Sequence, residues 1–465
     1  MPIKMAQSAI IVRVYAPGGE RMNKSLMRWC GMAGRLRDVA FMVALVTGLS
    51  LWPCNHSGLV SRAIAAGEDA ALASRLDAVL DKALAQQKIV GAVVVAARNG
   101  HVVYQRAVGM ADQENGTAMS LDTRFRLASM SKPIVSAAAL ALADHGLIGL
   151  DDPVTRWIPF FTPAFQGKVD PVITIRHLLT HTAGLSYGFL EPANGPMAHA
   201  EVSDGLDNPP ITLDENIWRL ASVPLYYEPG TGWRYSLAID VLGEVVSRAG
   251  GDTLPAVVKK YVTGPLGMTA TGFVADRPEL LAAAYLWADG KPRRMAETEV
   301  VPRGGSVTRY EPGRALDAQA YASGGAGMVG TAADYLKFLE ALRTGGALVL
   351  KPETATAMTT DQICPIFLQR LSATANKTNE VVAPGWGFGF GGAVLLHPEK
   401  AEYRAGAGTL SWSGAYGTHF FMDRESGISF VVLTNTTPTG MAGPFAVALA
   451  QAMYGQKVEK KTGKK

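Results

Sequence analysis

Cysteine is nearly absent: there are three in 465 residues, and Cys30 and Cys54 both fall within the first 65. Cys364 stands alone in the body of the chain, so neither a disulfide framework nor a four-cysteine metal site can be built there. With no adjacent histidine or basic helix start it reads as a small hydrophobe and not as a nucleophile. Charge is also scarce, at 18% of residues. The net +4 sits in the ends: residues 1–65 carry eight Lys/Arg against two acids, and residues 456–465 carry five against one. Between them stand 31 basic and 37 acidic residues, a mildly acidic body without the electrostatic footprint of phosphate-backbone binding, so no nucleic-acid partner is expected.

Long apolar runs are missing too. Val39–Trp52 is apolar for 14 residues after Arg35 and Arg37. A bilayer crossing needs about 20, so this is the layout of a removable secretory signal, with no stable membrane anchor. The expectation is export, to the periplasm or beyond, with a cytoplasmic leader as the alternative. Ala63-Ile64-Ala65 fits a small-x-small cleavage site at an unusual distance, Leu51-Trp52-Pro53-Cys54 loosely resembles a lipoprotein box, and Met1, Met5 and Met22 are all possible starts.

What is there is 48% hydrophobic residues with 50 Gly and 26 Pro, a loop-rich globular chain able to bury a large core. Leu72, Leu76, Val79, Leu80 and Leu84 recur at helical spacing within 70–87. Gly91–Arg98 and His101–Val108 read as strands joined by Asn99-Gly100, a strong two-residue turn signal. Near the other end, 417–422 and 428–435 read as strands and 441–454 as a closing helix. Both ends thus supply strands to one antiparallel sheet flanked by helices, an α+β architecture. The Pro/Gly-rich middle reads as a mostly helical lobe, with short helices at 173–182, 240–248 and 254–261. The expected organisation is a leader (1–65), a sandwich domain (66–150 with 320–455), an inserted helical lobe (151–319) and a basic tail (456–465).

The strongest chemical signal is Ser129-Met-Ser-Lys132 opening an apolar helix. At a spacing of three the hydroxyl and amine share one helical face. Apolar surroundings strip hydration from the ammonium and lower its pKa, which lets the amine act as a base, while the helix start offers free N–H groups to an oxyanion. Taken alone, the tetrad also fits an N-cap serine beside a surface lysine. Tyr235, in the loop Pro229-Gly-Thr-Gly-Trp-Arg-Tyr235, stands before another helix, where a neighbouring cation favours phenolate character. Gly408–Met422 reads as a glycine-punctuated edge strand whose backbone can approach a substrate.

With Ile173–Leu185, Pro229–Trp233 and Ser323–Asp334, these segments resemble the serine hydrolases that share the penicillin-recognising fold of class C β-lactamases and DD-peptidases, and among them family VIII carboxylesterases. The resemblance covers about 70–454. It implies Ser129 as nucleophile, Lys132 as its base, Tyr235 as proton shuttle, the backbone N–H groups of Ser129 and Ala415 as oxyanion hole, and Trp412, Ser413, Gly414 and Leu237 as pocket residues. It implies no metal or cofactor and a small-molecule ester as substrate, and leaves the oligomeric state open. Two departures favour neutral esters: Tyr235-Ser-Leu237 where β-lactam-processing relatives carry Tyr-x-Asn, and Trp412-Ser-Gly414 where they carry Lys-Thr-Gly. An indole walls an apolar pocket and pairs with no carboxylate.

Three motifs compete. Gly184-Leu-Ser186-Tyr-Gly188 matches the α/β-hydrolase elbow but lacks the strand before it and the helix after it. Lys461-Thr-Gly463 lies in a charged run at the terminus, and His177 with His181 lacks the glutamate of a zinc protease. A non-catalytic binding module on the same scaffold is the rival from another class.

Overall fold

The computed structural model describes residues 56–167, 171–363 and 384–455. Residues 1–55 of the expected leader, Cys364 and the basic tail with Lys461-Thr-Gly463 lie outside the described residues. From Ser57 onward the chain forms one compact unit. Its first helix, α1 (His56–Ala85), begins earlier than the periodicity suggests and includes Ala63–Ala65.

The main sheet has eight antiparallel strands: β1 (Gly91–Arg98), β2 (His101–Asp112), β3 (Thr117–Ala118), β4 (Trp386–Phe388), β5 (Ala393–Leu395), β6 (Leu410–Gly414), β7 (Thr418–Asp423) and β8 (Ile428–Thr434). Their order is β4-β5-β6-β7-β8-β1-β2-β3. The two chain ends meet where β1 pairs with β8, from Ala92 opposite Thr434 to Arg98 opposite Ile428. Asn99 (φ 51°) and Gly100 (φ 86°) make the turn into β2, both left-handed as a tight hairpin requires.

Strand alternation sorts β1 between two cores. Ala92, Val94 and Ala96 pack with Leu72, Leu76 and Leu80 of α1 and Leu449 of α6 (Pro444–Met453). Val93, Val95 and Ala97 face the larger core with α2 (Ser131–Asp144) and α5 (Ala332–Arg343). Buried on both faces, β1 is a continuous apolar run and not an alternating one. Helix α2 is buried from Ser131 to Leu142, and apart from Ser131, Lys132 and Ser136 those residues are apolar. Each of its large aliphatic side chains contributes about 1.5–3 kcal/mol by leaving water.

Between these halves lie α3 (Ile175–Leu179), shorter than expected and started by a Thr174–His177 capping box, and α4 (Ala238–Gly250). The stretch also holds two hairpins that the helical reading overlooked: Tyr285–Ala288 with Lys291–Arg294, and Glu299–Arg303 with Ser306–Tyr310. Their turns, Asp289-Gly290 and Gly304-Gly305, were the available signal. Strand β6 also departs from expectation, since it lies between β5 and β7. Its pairing with β5 covers only Leu410 and Ser411, however, so Trp412–Gly414 runs past the end of that partner.

Candidate active site

Ser129 occupies a short 3-10 turn, Ala128–Met130, that leads directly into α2. The tetrad therefore straddles a turn and a helix. Ala128, at φ 45°, is in the left-handed region, a strained conformation for a residue with a Cβ. Neither the turn nor the helix has a side-chain cap, so Ser129 is no N-cap serine. Lys132 is no surface lysine either: it is fully buried. Its Nζ donates to Ser129 Oγ (3.3 Å) and to the carbonyl of Gly325 (2.8 Å). Burial pulls the amine down to about 7, with Asp240 and Asp204 opposing by their charge, so near neutral pH much of it is a free base.

Gly325 was not among the expected site residues, although its glycine-rich setting, Ser323-Gly-Gly-Ala-Gly327, was the signal. A Cβ there would lie 2.3 Å from Asp240 Oδ2 and 2.8 Å from the Tyr187 hydroxyl, so only glycine places that carbonyl under Lys132. Asp240 is itself buried and accepts from Ser323 Oγ at 2.5 Å. Burial pushes its carboxyl upward.

Tyr235 reaches the same point from the loop before α4: Lys132 Nζ lies 4.5 Å from its ring centroid. The expected phenolate character is not met. Burial drives this phenol up, outweighing the approach of Ser129, Trp412 and Tyr187, so it stays protonated. Its hydroxyl is buried without a hydrogen-bond partner of good geometry, a proton donor held ready. Around it stand Trp412 (centroids 5.3 Å), Tyr187 (5.1 Å) and His181 (4.9 Å), with Phe388 edge-on to Trp412. Burial, aided by the nearby Lys132, keeps His181 neutral by lowering its pKa far below the usual range.

The backbone of β6 approaches the serine turn closely. At Gly414 a Cβ would sit 2.1 Å from the Leu127 carbonyl, so any side chain there would push the strand away. Ser129 is the second residue of its turn, where an N–H has no intrahelical acceptor. Ala415 follows Gly414 in a tight turn closed by Gly417 N–H on Gly414 O (2.9 Å), a bond that leaves its own N–H unused. Trp412 is half-buried and takes the Gly414 face of β6, whereas Ser413 stands opposite His419 and, by alternation, turns its side chain to the other face. Leu237 is a correction: it is fully buried in the large core as the N-cap of α4 and has no surface to offer a substrate.

The competing motifs are occupied elsewhere. Ser186 is buried, donates to Glu191 (2.6 Å) and accepts from Arg234 Nε (2.8 Å) inside the Arg234–Glu191 ion pair. Its neighbour Tyr187 is the member of that motif that faces Lys132, with Nζ 5.1 Å from its ring. His177 Nδ1 accepts from Thr174 N–H (3.2 Å), while His181 lies beyond the end of α3 against Ser236 (3.2 Å).

The profile of the family described as Beta-lactamase matches residues 76–452. Esterase EstB of Burkholderia gladioli is 47% identical over 391 residues, 83% of this chain and 96% of that protein. Lovastatin esterase of Penicillium rubens is 29% identical over 375 residues, 76% of this chain and 90% of that one. Among solved structures, EstCE1, described as a hydrolase with promiscuous acyltransferase activity, superposes with a TM-score of 0.77 at 43% identity, covering 83% of this chain and 99% of that one. A penicillin-binding protein homologue from Pyrococcus abyssi shares the fold alone, at 20% identity and a TM-score of 0.62, over 83% of this chain and 78% of that one. With a family profile spanning most of its length and a relative nearly half identical to it, the chain belongs to the beta-lactamase family, as one of its serine hydrolases.

Proposed function

We propose that the chain hydrolyses neutral, short-chain carboxylic esters through an acyl-enzyme on Ser129. The observation that carries this reading is the convergence of the Ser129 hydroxyl, the buried Lys132 amine, whose pKa burial lowers, and the buried Tyr235 phenol, whose pKa burial raises, under an aromatic wall with no cation on β6. Lys132 takes the Ser129 proton as Oγ attacks the ester carbonyl, and the carbonyl electron pair moves onto oxygen, received by the N–H groups of Ser129 and Ala415. The tetrahedral intermediate collapses, the C–O bond breaks, and the leaving alkoxide takes the Tyr235 proton, which Lys132 then replaces. Water repeats the cycle on the acyl-serine and returns the acid.

The apolar wall at Trp412 gives a β-lactam or peptide carboxylate nothing to pair with, which favours esters. Turnover of p-nitrophenyl butyrate compared with a chromogenic cephalosporin tests the reading: a higher kcat/KM for the cephalosporin overturns it. A fluorophosphonate adduct on the Ser129 peptide is expected; none points to a binding module, and one on Ser186 to an elbow hydrolase. A second reading, transfer of the acyl group to an alcohol, is supported by the description of EstCE1 and predicts ester exchange when an alcohol is added. Export by the apolar segment at 39–52 is proposed as well, and the N-terminal sequence of the mature protein checks it.

A further inference from the structure

A cavity of about 620 Å³ lies away from Ser129, between α1 and α6, the two helices on the sheet face opposite α2. Val79 and Ala83 of α1 and Phe445 of α6 give it apolar walls, and Trp287 from the first hairpin closes one side. Its volume is that of a small-molecule site, ~300–1,000 Å³. Two features set it apart from a packing defect. Lys82 and Lys88 both line it, no acid does, and neither lysine has an ion pair among the described residues. Lys88 Nζ lies 4.1 Å over the Trp287 ring. The acids nearest on α1, Asp77 and Asp81, are already engaged by Arg106. In addition, the Trp287 indole N–H is buried with no hydrogen-bond partner, an unmet donor in the wall beside the cavity.

Apolar walls beside two lysines that have no ion pair among the described residues describe the complement of an amphiphilic anion. We propose that this cavity binds a medium-chain alkanoate, its chain against Val79, Ala83 and Phe445 and its carboxylate paired with Lys82 and Lys88. An uncharged alcohol of equal length satisfies the walls and leaves the cations unpaired, so charge sets the selectivity. The inference is independent of the ester reading, because none of these residues belongs to the Ser129 site.

Calorimetric titration of the full chain with hexanoate, octanoate, decanoate and dodecanoate tests it, run with and without fluorophosphonate treatment so that the catalytic pocket is closed in one arm. Affinity is expected to rise roughly three- to fourfold per methylene and to survive the treatment. Decanol should bind about tenfold more weakly, and Lys82→Glu with Lys88→Glu should weaken decanoate about tenfold. Lys82 is exposed and Lys88 half-buried, so this double variant should fold and keep its p-nitrophenyl butyrate turnover. Absence of saturable binding, binding lost on phosphonate treatment, or affinity indifferent to the lysine pair and to head-group charge would each overturn the proposal.

Discussion

At the scale of single residues, Lys132 governs both rate and stability. A buried amine held at about 7 accepts a proton only when neutral, so kcat/KM should fall as pH drops below about 7, along a limb that reports this group. Free lysine keeps its proton up to about 10.4. Between the two values the unfolded chain binds more protons, so stability rises with pH across that window and the whole burial penalty is present below it. Lys132→Met should therefore melt higher than the parent at pH 6, with the gain shrinking as pH climbs from about 7 towards about 10, while activity is lost. Ser129→Ala should abolish ester turnover with an unchanged circular dichroism spectrum; residual activity above a tenth, measured after active-site titration, contradicts the mechanism. Tyr235→Phe should cost roughly 100- to 10,000-fold in kcat, since the phenol acts only as charge reaches the leaving oxygen. The Ser-x-x-Lys spacing was legible in the sequence because three residues make one turn. Leu237 misled because it stands where β-lactam-processing relatives carry the asparagine of Tyr-x-Asn, whereas here the position is the fully buried N-cap of α4.

At the scale of elements, the site is a junction between the start of α2 and the end of β6. Gly414 lets the strand touch the turn at Leu127, where Thr418 Oγ1 also donates to the same carbonyl (3.3 Å). Gly414→Val should separate them. The expected result is a loss of activity larger than the loss of stability, which overpacking places at about 1–3 kcal/mol, read by thermal unfolding beside kcat. The sheet was readable from its ends because Asn99-Gly100 and the apolar runs of β1 and β8 carry strong local signals. The hairpins at 285–294 and 299–310 escaped because their strands are four or five residues of mixed polarity, for which turn chemistry is the clearer marker.

At the scale of the whole molecule, the family relationship and the aromatic wall lead to one comparative outcome: p-nitrophenyl butyrate should be the better substrate than a cephalosporin by kcat/KM, and chelator should leave the rate unchanged. The sequence by itself determined the periodic helices, the hairpin that starts the sheet, and the pairing of Ser129 with Lys132, because each depends on neighbours within a few residues. Only the tertiary structure decided that Gly325 offers its carbonyl to the amine, that Tyr235 arrives protonated, and that Ser186 is consumed by an ion pair. Those outcomes depend on burial and on contacts between distant segments, and desolvation is a property of the packed interior that no local pattern carries.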